Sequence, residues 1–228
     1  MGDLAGRLAA LRGRIDEACR RAGRETGEVM LLAVSKTFPT EAVQEAYEAG
    51  QRCFGESRQQ EAAPKIEALP GDIEWHFIGG LQRNKARKVV TAFPIIHSVD
   101  SLRLAEYLDR VAGEEGKRPK IYLEVNIAGE ESKGGFSPGE LLAAAGELAA
   151  FRHVEITGLM TIPPDDADAA RRWFAAAREL RDRLRAESGL ALPGLSMGMS
   201  ADFEDAVLEG STVVRVGSAL FGYRSYPA

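Results

Sequence analysis

Short runs of apolar and β-branched residues alternate with longer amphipathic stretches along most of the chain. Eight such runs predict β-strands, at residues 30–36, 52–56, 74–79, 94–99, 120–126, 154–162, 192–198 and 212–220. The stretches between them repeat their apolar residues every three or four positions, the pattern of helices that bury one face. Near-continuous apolar strands that alternate with helices are typical of a parallel sheet covered on both faces.

Several predicted helices carry signals at their ends or along one face. Thr40 is predicted to cap the helix after the first strand, and Gly50 lies just beyond its end. The apolar spacing predicts the buried positions of two later helices: Leu104, Leu108 and Val111 in one, and Trp173, Ala177, Leu180 and Leu184 in the other.

Eight strand–helix units in a chain of 228 residues predict an α/β protein with one closed (β/α)8 TIM barrel. We expect residues 1–228 to form a single domain, with an extra amphipathic helix before the first strand. An open doubly wound sheet is the alternative that the pattern leaves. In such barrels the chemistry lies at the C-terminal ends of the strands, where polar residues and glycines gather in this sequence.

The composition excludes several classes of function. A net charge of −5 and a pI of about 5.4 do not resemble the basic footprint of a nucleic-acid-binding protein, and the one dense basic run, residues 82–88, is expected to be a solvated helix face. Cys19 and Cys53 have neither disulfide-framework nor metal-ligand spacing, which indicates a reduced, cytoplasmic protein without a metal. The charged N-terminus is unlike a signal peptide, and no apolar run is long enough for a membrane span.

Lys36 stands at the end of the first predicted strand. Because side chains alternate along a strand, Leu32, Val34 and Lys36 share one face. If that face points into the barrel, Lys36 projects into its mouth, where partial desolvation would lower its pKa and favour a nucleophilic amine that forms Schiff bases. Taken alone, the position of Lys36 favours the alternative interpretation, in which a lysine at the end of a strand extends its side chain into solvent.

Small residues follow the seventh and eighth strands. Gly198 and Ser200 precede a helix expected to begin near Ala201, and Gly217 and Ser218 follow the last strand. Loops at these two places often bind phosphate in (β/α)8 barrels, where backbone N–H groups and hydroxyls can approach the anion closely. Ordinary helix caps or turns are the alternative for each pair.

Arg215 lies inside the last apolar strand, where a cation needs a partner or a ligand. It is either half of an internal ion pair or a donor to a ligand's ring nitrogen or anionic group. With Lys36 it would bracket a phosphorylated aldehyde. We expect Asn126, at the end of the fifth strand, to line the mouth and Met199 to form a wall.

Two histidines, His76 and His97, lie inside predicted strands. No cysteine or carboxylate stands at a zinc-ligand spacing from either. We therefore expect hydrogen-bonded core side chains rather than general bases. Glu124 also lies inside a strand, and the sequence assigns it no partner.

Eight segments occur in order along the chain: LLAVSKT, FGE, WHFIGGLQRNK, HSVDSLRLA, VNIAGEESKGGF, GLMTIP, LSMGMSADFEDA and VRVGSALFG. Together they resemble the YggS/PROSC family of pyridoxal 5′-phosphate (PLP) homeostasis proteins over nearly the whole length. The resemblance implies a single barrel of PLP fold type III, similar to the N-terminal domain of alanine racemase.

The resemblance also implies roles for individual residues. Lys36 matches the lysine that holds PLP as an internal aldimine, and Ser200 matches a phosphate ligand. Gly217 and Ser218 match the second phosphate-binding stretch, where a threonine is usual at the position of Ser218. Arg215 matches the arginine that faces the pyridine nitrogen, which an always-charged guanidinium should leave unprotonated, making PLP a poorer electron sink.

One segment departs from the family pattern. The family reads FGENYVQE after the second strand, whereas this chain reads FGESRQQE. The asparagine that commonly faces the cofactor is Ser57 here, and a tyrosine becomes Arg58. Ser57 is shorter and lacks the amide donor, so this contact beside the cofactor departs from the family pattern, whereas the aldimine does not depend on it.

The function that the resemblance implies is a PLP-binding carrier in PLP (vitamin B6) and amino-acid homeostasis, without strong turnover. PLP-dependent apo-enzymes are the candidate recipients. Racemases of this fold add a C-terminal β domain that carries a second catalytic base. In this sequence the last predicted strand ends near Gly222, so we expect no such domain. Because the racemase dimer interface would also be missing, we expect a monomer. A PLP enzyme with weak amino-acid racemase-like activity is the first alternative, and a Schiff-base aldolase acting on a sugar phosphate is the second.

Overall fold

Eight parallel strands form a closed barrel in the computed structural model of the chain, which describes residues 4–164, 166 and 169–222. The strands are β1 (Met30–Val34), β2 (Cys53–Glu56), β3 (Glu74–Phe77), β4 (Ile95–Val99), β5 (Lys120–Glu124), β6 (Glu155–Met160), β7 (Gly194–Ser196) and β8 (Val213–Val216). Each lies within a predicted strand, and neighbours in sequence are neighbours in the barrel. The (β/α)8 prediction is therefore confirmed and the open sheet is excluded.

Ten α-helices lie among the described residues. They are α1 (Leu4–Arg21), α2 (Thr40–Glu48), α3 (Gln59–Ala68), α4 (Ala86–Ala92), α5 (Leu102–Glu114), α6 (Pro138–Ala143), α7 (Ala145–Ala149), α8 (Ala170–Ser188), α9 (Phe203–Leu208) and α10 (Ser218–Phe221), with a short 3-10 helix at Arg83–Lys85. None of these described helices combines the length and the apolarity that crossing a membrane requires.

The barrel closes where β1 pairs with β8. Leu32 lies opposite Arg215 in this register, and Ala33 lies opposite Val216. The strand that leads to Lys36 is thus hydrogen-bonded to the strand that carries Arg215, although the two residues are far apart in sequence.

Helix α1 precedes the barrel and completes its outer ring. It packs against α2, α9 and α10, beside the last strand; among the residues that the structure describes, the four-residue α10 is the one helix after that strand. Its buried face is Leu4, Leu8, Leu11, Ile15, Ala18 and Cys19. The Arg7 side chain also donates a hydrogen bond of 2.6 Å to the Leu220 carbonyl. The predicted extra N-terminal helix is confirmed, and it covers a side of the barrel that α10 is too short to cover.

Apolar side chains pack in two separate layers, one on each side of the barrel wall. Leu31 and Ala33 belong to the large layer between strands and helices. Leu32 belongs to a small interior cluster together with residues of β4, β5, β6 and β8: Ile95, Tyr122, Met160 and Val213. The predicted alternation along β1 is therefore confirmed, and the face shared by Leu32 points inward.

Two local predictions are wrong, and a third is displaced by two residues. Thr40 is the first residue of α2 rather than its cap; Pro39 holds the cap position in an extended conformation, with no side-chain hydrogen bond. In α8 the buried position belongs to Phe174, while Trp173 is partly exposed and lies under the guanidinium of Arg172. Helix α9 begins at Phe203, after a turn that includes Ala201.

A buried ion pair joins α3 to β2 and is hydrogen-bonded to Ser35, just after β1. Lys65 Nζ lies 2.7 Å from Glu56 Oε1 and donates a 3.0 Å hydrogen bond to the Ser35 carbonyl. The Ser35 hydroxyl donates to the same Glu56 oxygen at 2.7 Å. All three residues are buried, and Glu56 Oε2 has no hydrogen-bond partner among the described residues. The residue just before Lys36 is therefore held by a charged network that water does not screen.

Lys65→Met should lower the free energy of unfolding by about 3–5 kcal/mol, because it leaves the Glu56 carboxylate buried without its cation. Urea unfolding at pH 7 measures this change. Lys88→Met, on the exposed face of α4, is the matched control and should shift stability by less than about 0.5 kcal/mol. The Glu56→Gln, Lys65→Met double variant should regain part of the free energy of unfolding that Lys65→Met alone loses. Equal stability of the Lys65→Met and Lys88→Met variants would contradict the prediction.

Candidate functional site

A cavity of about 360 Å³ lies at the C-terminal ends of the strands. Its polar side is formed by Lys36, Ser200, Arg215 and Ser218, with Gly217 between the last two. Its apolar side is formed by Val34, Ile78, Met160, Ile162, Met199 and Ala201. Barrel closure thus brings together six of the eight residues that the sequence predicts for a cofactor site: Lys36, Met199, Ser200, Arg215, Gly217 and Ser218.

A larger cleft, of about 480 Å³, lies at the opposite end of the barrel. Arg12, Gln51 and Cys53 are among its lining residues. Ligands of (β/α)8 barrels bind at the C-terminal ends of the strands, where the loops can vary without disturbing the core. We therefore assign the site to the smaller cavity, where the candidate polar groups meet.

Lys36 lies in the turn after β1, two residues beyond the strand. Val34 and Lys36 both line the cavity, as the alternation predicts. Lys36 is nevertheless exposed, so the expected desolvation of its amine is wrong. The next residue, Thr37, has a φ of 73°, a left-handed conformation that is an outlier for a β-branched residue, and its hydroxyl donates to the Lys36 carbonyl. Such strain marks a turn whose conformation is imposed by its surroundings.

Ser200 and Ser218 meet on one wall of the cavity. The Ser218 hydroxyl lies 3.2 Å from the Ser200 hydroxyl, to which the Ala219 N–H also donates at 3.4 Å. The turn that carries Ser200 depends on Gly198, whose φ is +94°; a Cβ there would lie 2.6 Å from the Ala206 Cβ. Two hydroxyls eighteen residues apart in sequence, one from the turn after β7 and one from the first residue of α10, thus converge on one point.

The guanidinium of Arg215 is buried beneath the cavity. Its Nη1 donates to the Ser196 carbonyl and hydroxyl, both at 2.7 Å, and its Nη2 donates to the Thr161 carbonyl at 3.0 Å. These bonds use three of the five donors of an arginine and leave two for a ligand. Burial lowers the Arg215 pKa to about 10, and the charges of Glu124 and Asp202 act in the opposite direction.

Glu124, to which the sequence assigned no partner, ends β5 close to this cation. Burial raises the pKa of its carboxyl, the charge of Asp100 raises it further, and Arg215 lowers it. Burial likewise raises the pKa of Asp202, whose carboxylate accepts a hydrogen bond of 2.6 Å from the Met199 N–H. Two carboxyl groups, those of Glu124 and Asp202, thus act electrostatically on the buried Arg215.

Ser57 and Asn126 are not brought into the cavity. The Asn126 amide holds its own loop: it accepts from the Glu130 N–H at 3.0 Å and donates to the carbonyls of Glu130 and Lys133. The Ser57 backbone packs against Gly79, where a Cβ would lie 2.1 Å from the Ser57 carbonyl oxygen. Their predicted contacts with a ligand therefore have no counterpart among the groups that line this cavity.

The two strand histidines hydrogen-bond to each other in the barrel interior. The His76 Nδ1 and the His97 Nε2 are 2.9 Å apart, as expected for core histidines. The sequence did not reveal that Cys53 and Glu74 lie beside His76, with one ligand atom of each of the three within 4.8 Å of the others. Their positions in the sequence could have indicated this proximity, because Cys53 and Glu74 each begin a strand and the two strands pair with each other.

The sequence matches the family model of the alanine racemase N-terminal domain over residues 7–225. A pyridoxal phosphate homeostasis protein of Aquifex aeolicus is 44% identical over 223 residues, which cover 96% of this chain and 98% of that protein. Among solved structures, PipY of Synechococcus elongatus without PLP is 45% identical and superposes with a TM-score of 0.88. The structure of PipY with PLP bound superposes with a TM-score of 0.85; both cover 96% of this chain and 100% of PipY.

Proposed function

Because this chain belongs to the family of pyridoxal phosphate homeostasis proteins, which share the alanine racemase N-terminal domain, we propose that the cavity at the strand ends holds PLP. The protein is a PLP-binding protein of PLP homeostasis. The observation that carries the assignment of the site is the convergence of an amine, a guanidinium with spare donors and two hydroxyls in one cavity.

The chemistry of the lining fits the three parts of PLP. Bound PLP supplies an aldehyde, an electrophilic carbon that reacts with amines, and Lys36 is the amine that the cavity offers to it. Val34, Ile78 and Met160 offer apolar surface to the ring. The two spare donors of Arg215 suit a pyridine nitrogen, which is an acceptor when unprotonated.

The phosphate is assigned to Ser200 and Ser218. Their hydroxyls are 3.2 Å apart, and each can turn its proton toward an anion. Lys36 and Arg215 line the same cavity and favour a negatively charged ligand electrostatically. Gly217 precedes Ser218 without a side chain that would occupy this corner.

We propose that the protein holds and releases PLP without strong turnover. Among the described residues that line the cavity, Lys36 and Arg215 are the ones that ionise, and racemisation needs acid and base groups on two faces of the cofactor. With a pKa of about 10, Arg215 stays protonated at neutral pH and leaves the pyridine nitrogen unprotonated, which weakens the electron sink.

Partners and location complete the proposal. We place PLP-dependent apo-enzymes as recipients of the released cofactor, with the protein acting as a monomer and without nucleic acid or membrane as a partner. Cys19 and Cys53 are both free, which suits a reducing compartment, and we propose the cytoplasm.

One observation favours weak amino-acid racemase-like activity as a second function. The Glu124 carboxyl ends β5 within electrostatic range of Arg215, and burial raises its pKa, which favours a carboxyl that can act as a proton donor. This activity would be established if the wild-type protein turns over alanine faster than the Lys36→Ala variant does and if the Glu124→Gln variant loses that turnover. Turnover at the background level supports the carrier alone.

Lys36 is expected to be the point of covalent attachment. Borohydride treatment of the PLP-loaded protein, followed by peptide mapping, should place the pyridoxyl label on Lys36. The Lys36→Ala variant should lose both the label and the visible absorption band, because the cavity then offers no amine. Lys88→Ala, on the exposed face of α4, should keep both. A label on any other lysine contradicts the assignment.

The Ser200→Ala, Ser218→Ala double variant should bind PLP at least about tenfold more weakly, because two donors to the phosphate are lost. Spectral titration measures the Kd. Affinity for pyridoxal, which lacks the phosphate, should stay the same, and this distinguishes a lost phosphate contact from a damaged site. Ser57→Ala is the matched control and should leave both affinities unchanged, since Ser57 does not line the cavity. An unchanged Kd for PLP in the double variant would show that the phosphate lies elsewhere.

A further inference from the structure

A chain of hydrogen-bonded side chains crosses the barrel interior from the cavity to the opposite end. Its members are Arg215, Ser196, His97, His76 and Glu74. The successive distances are 2.7 Å from Arg215 Nη1 to Ser196 Oγ, 2.8 Å from there to His97 Nδ1, 2.9 Å between the histidines and 3.0 Å from His76 Nε2 to Glu74 Oε1. The first four residues are buried, and the Glu74 side chain is 42% exposed.

The chemistry of the two ends fixes the direction of every bond. Arginine only donates, so the Ser196 hydroxyl accepts from Arg215 and gives its single proton to His97 Nδ1. A neutral His97 then carries its proton on Nε2 and donates to His76 Nδ1. His76 in turn carries its proton on Nε2 and donates to the Glu74 carboxylate. All bonds therefore run from the cation to the anion.

The charge states agree with this direction. Burial lowers the pKa of His97 well below its ordinary value, and the charge of Arg215 lowers it further, so that His97 is neutral. The hydrogen bond from His76 lowers the pKa of Glu74, so that this end remains a carboxylate. Bonds aligned in one direction polarise and strengthen one another.

A metal ion at the far end is the competing interpretation. Cys53 Sγ lies 3.8 Å from Glu74 Oε1, and Cys53, Glu74 and His76 are three possible ligands. The bond direction, however, places a proton on His76 Nε2, the atom that would bind the ion. Burial also raises the pKa of the Cys53 thiol to about 11, which disfavours the thiolate. The hydrogen-bonded chain accounts for these side chains without an ion.

We propose that His97 is a positioning residue that acts through the Ser196 hydroxyl to orient the guanidinium of Arg215 toward the PLP ring. By taking the hydroxyl proton, His97 turns an oxygen lone pair of Ser196 toward Arg215. Without an acceptor at position 97 the hydroxyl can rotate, and Arg215 loses a fixed partner on its buried side. This inference rests on the proposed function of the cavity.

His97→Leu tests the inference, because leucine removes the acceptor. The expected result is a Kd for PLP about tenfold weaker in spectral titration, with a shifted visible absorption maximum of the bound cofactor, since the group facing the ring nitrogen is no longer fixed. His97→Asn keeps an acceptor near the position of Nδ1 and should restore most of the affinity and the wild-type maximum. A loss in His97→Leu without rescue in His97→Asn would overturn the proposal.

Tyr122→Phe is the matched control. The Tyr122 ring stacks on His97, with ring centroids 4.5 Å apart and planes at 19°. Its hydroxyl hydrogen-bonds to Thr212 and not to the hydrogen-bonded side chains between Arg215 and Glu74. Removing this buried hydroxyl perturbs the same part of the core but leaves the chain intact. Its affinity and spectrum should match the wild type, and a change as large as that of His97→Leu would indicate a general packing effect and overturn the proposal.

A double-mutant cycle with Ser196→Ala tests the route. If His97 acts through Ser196, the His97→Leu, Ser196→Ala protein should bind PLP no more weakly than the weaker single variant. Additive losses would contradict the route. If His97→Leu does not fold, as judged by circular dichroism, Ser196→Ala carries the test, and an unchanged spectrum in that variant overturns the proposal. Failure of the wild-type protein to bind PLP would instead refute the proposed function.

Discussion

The pairing of β1 with β8 is the constraint on which the site depends. It places Leu32 opposite Arg215, so that the strand leading to Lys36 and the strand carrying the buried cation are hydrogen-bonded neighbours. Ser200 and Ser218 then meet because β7 also borders β8. An open sheet with the same strands would leave β1 and β8 on opposite edges, and the cavity would not exist. Closure therefore creates the site as well as removing the sheet edges.

Two buried charged networks support this cavity. Glu56 and Lys65 hold Ser35 from the outer side of the barrel wall, and Arg215 is held from the inner side by Ser196 and the chain beyond it. Charges in such places are costly unless each is paired and hydrogen-bonded, so they are not efficient sources of stability. What they provide here is geometry, since charged groups with fixed partners have few alternative positions. The turn of Lys36 and the guanidinium of Arg215 are both placed in this way.

Much of the fold could be predicted from sequence, because periodicity is a local property. All eight strands and the extra N-terminal helix follow from it, and so does the inward face shared by Leu32 and Val34. The networks could not be predicted, because they join elements that are not adjacent in sequence. His97 on β4 and Ser196 on β7 meet across the barrel, and Lys65 reaches β1 from α3. Asn126 illustrates the same limit: its position at a strand end predicts contact with a ligand, and the sequence does not reveal that its amide also holds the loop that follows.

The contrast in burial between Lys36 and Arg215 bears on what such a cavity can do. Arg215 is fixed and shielded from water, whereas Lys36 lies exposed in a strained turn. A catalyst benefits when its reacting groups are enclosed, because a dry site strengthens every charge that acts on the transition state. A carrier has the opposite need, since water or an incoming amine must reach the bond to the lysine for the cofactor to leave. An exposed amine above a buried, hydrogen-bonded cation is therefore consistent with the proposal that the protein holds PLP reversibly rather than carrying out sustained chemistry upon it.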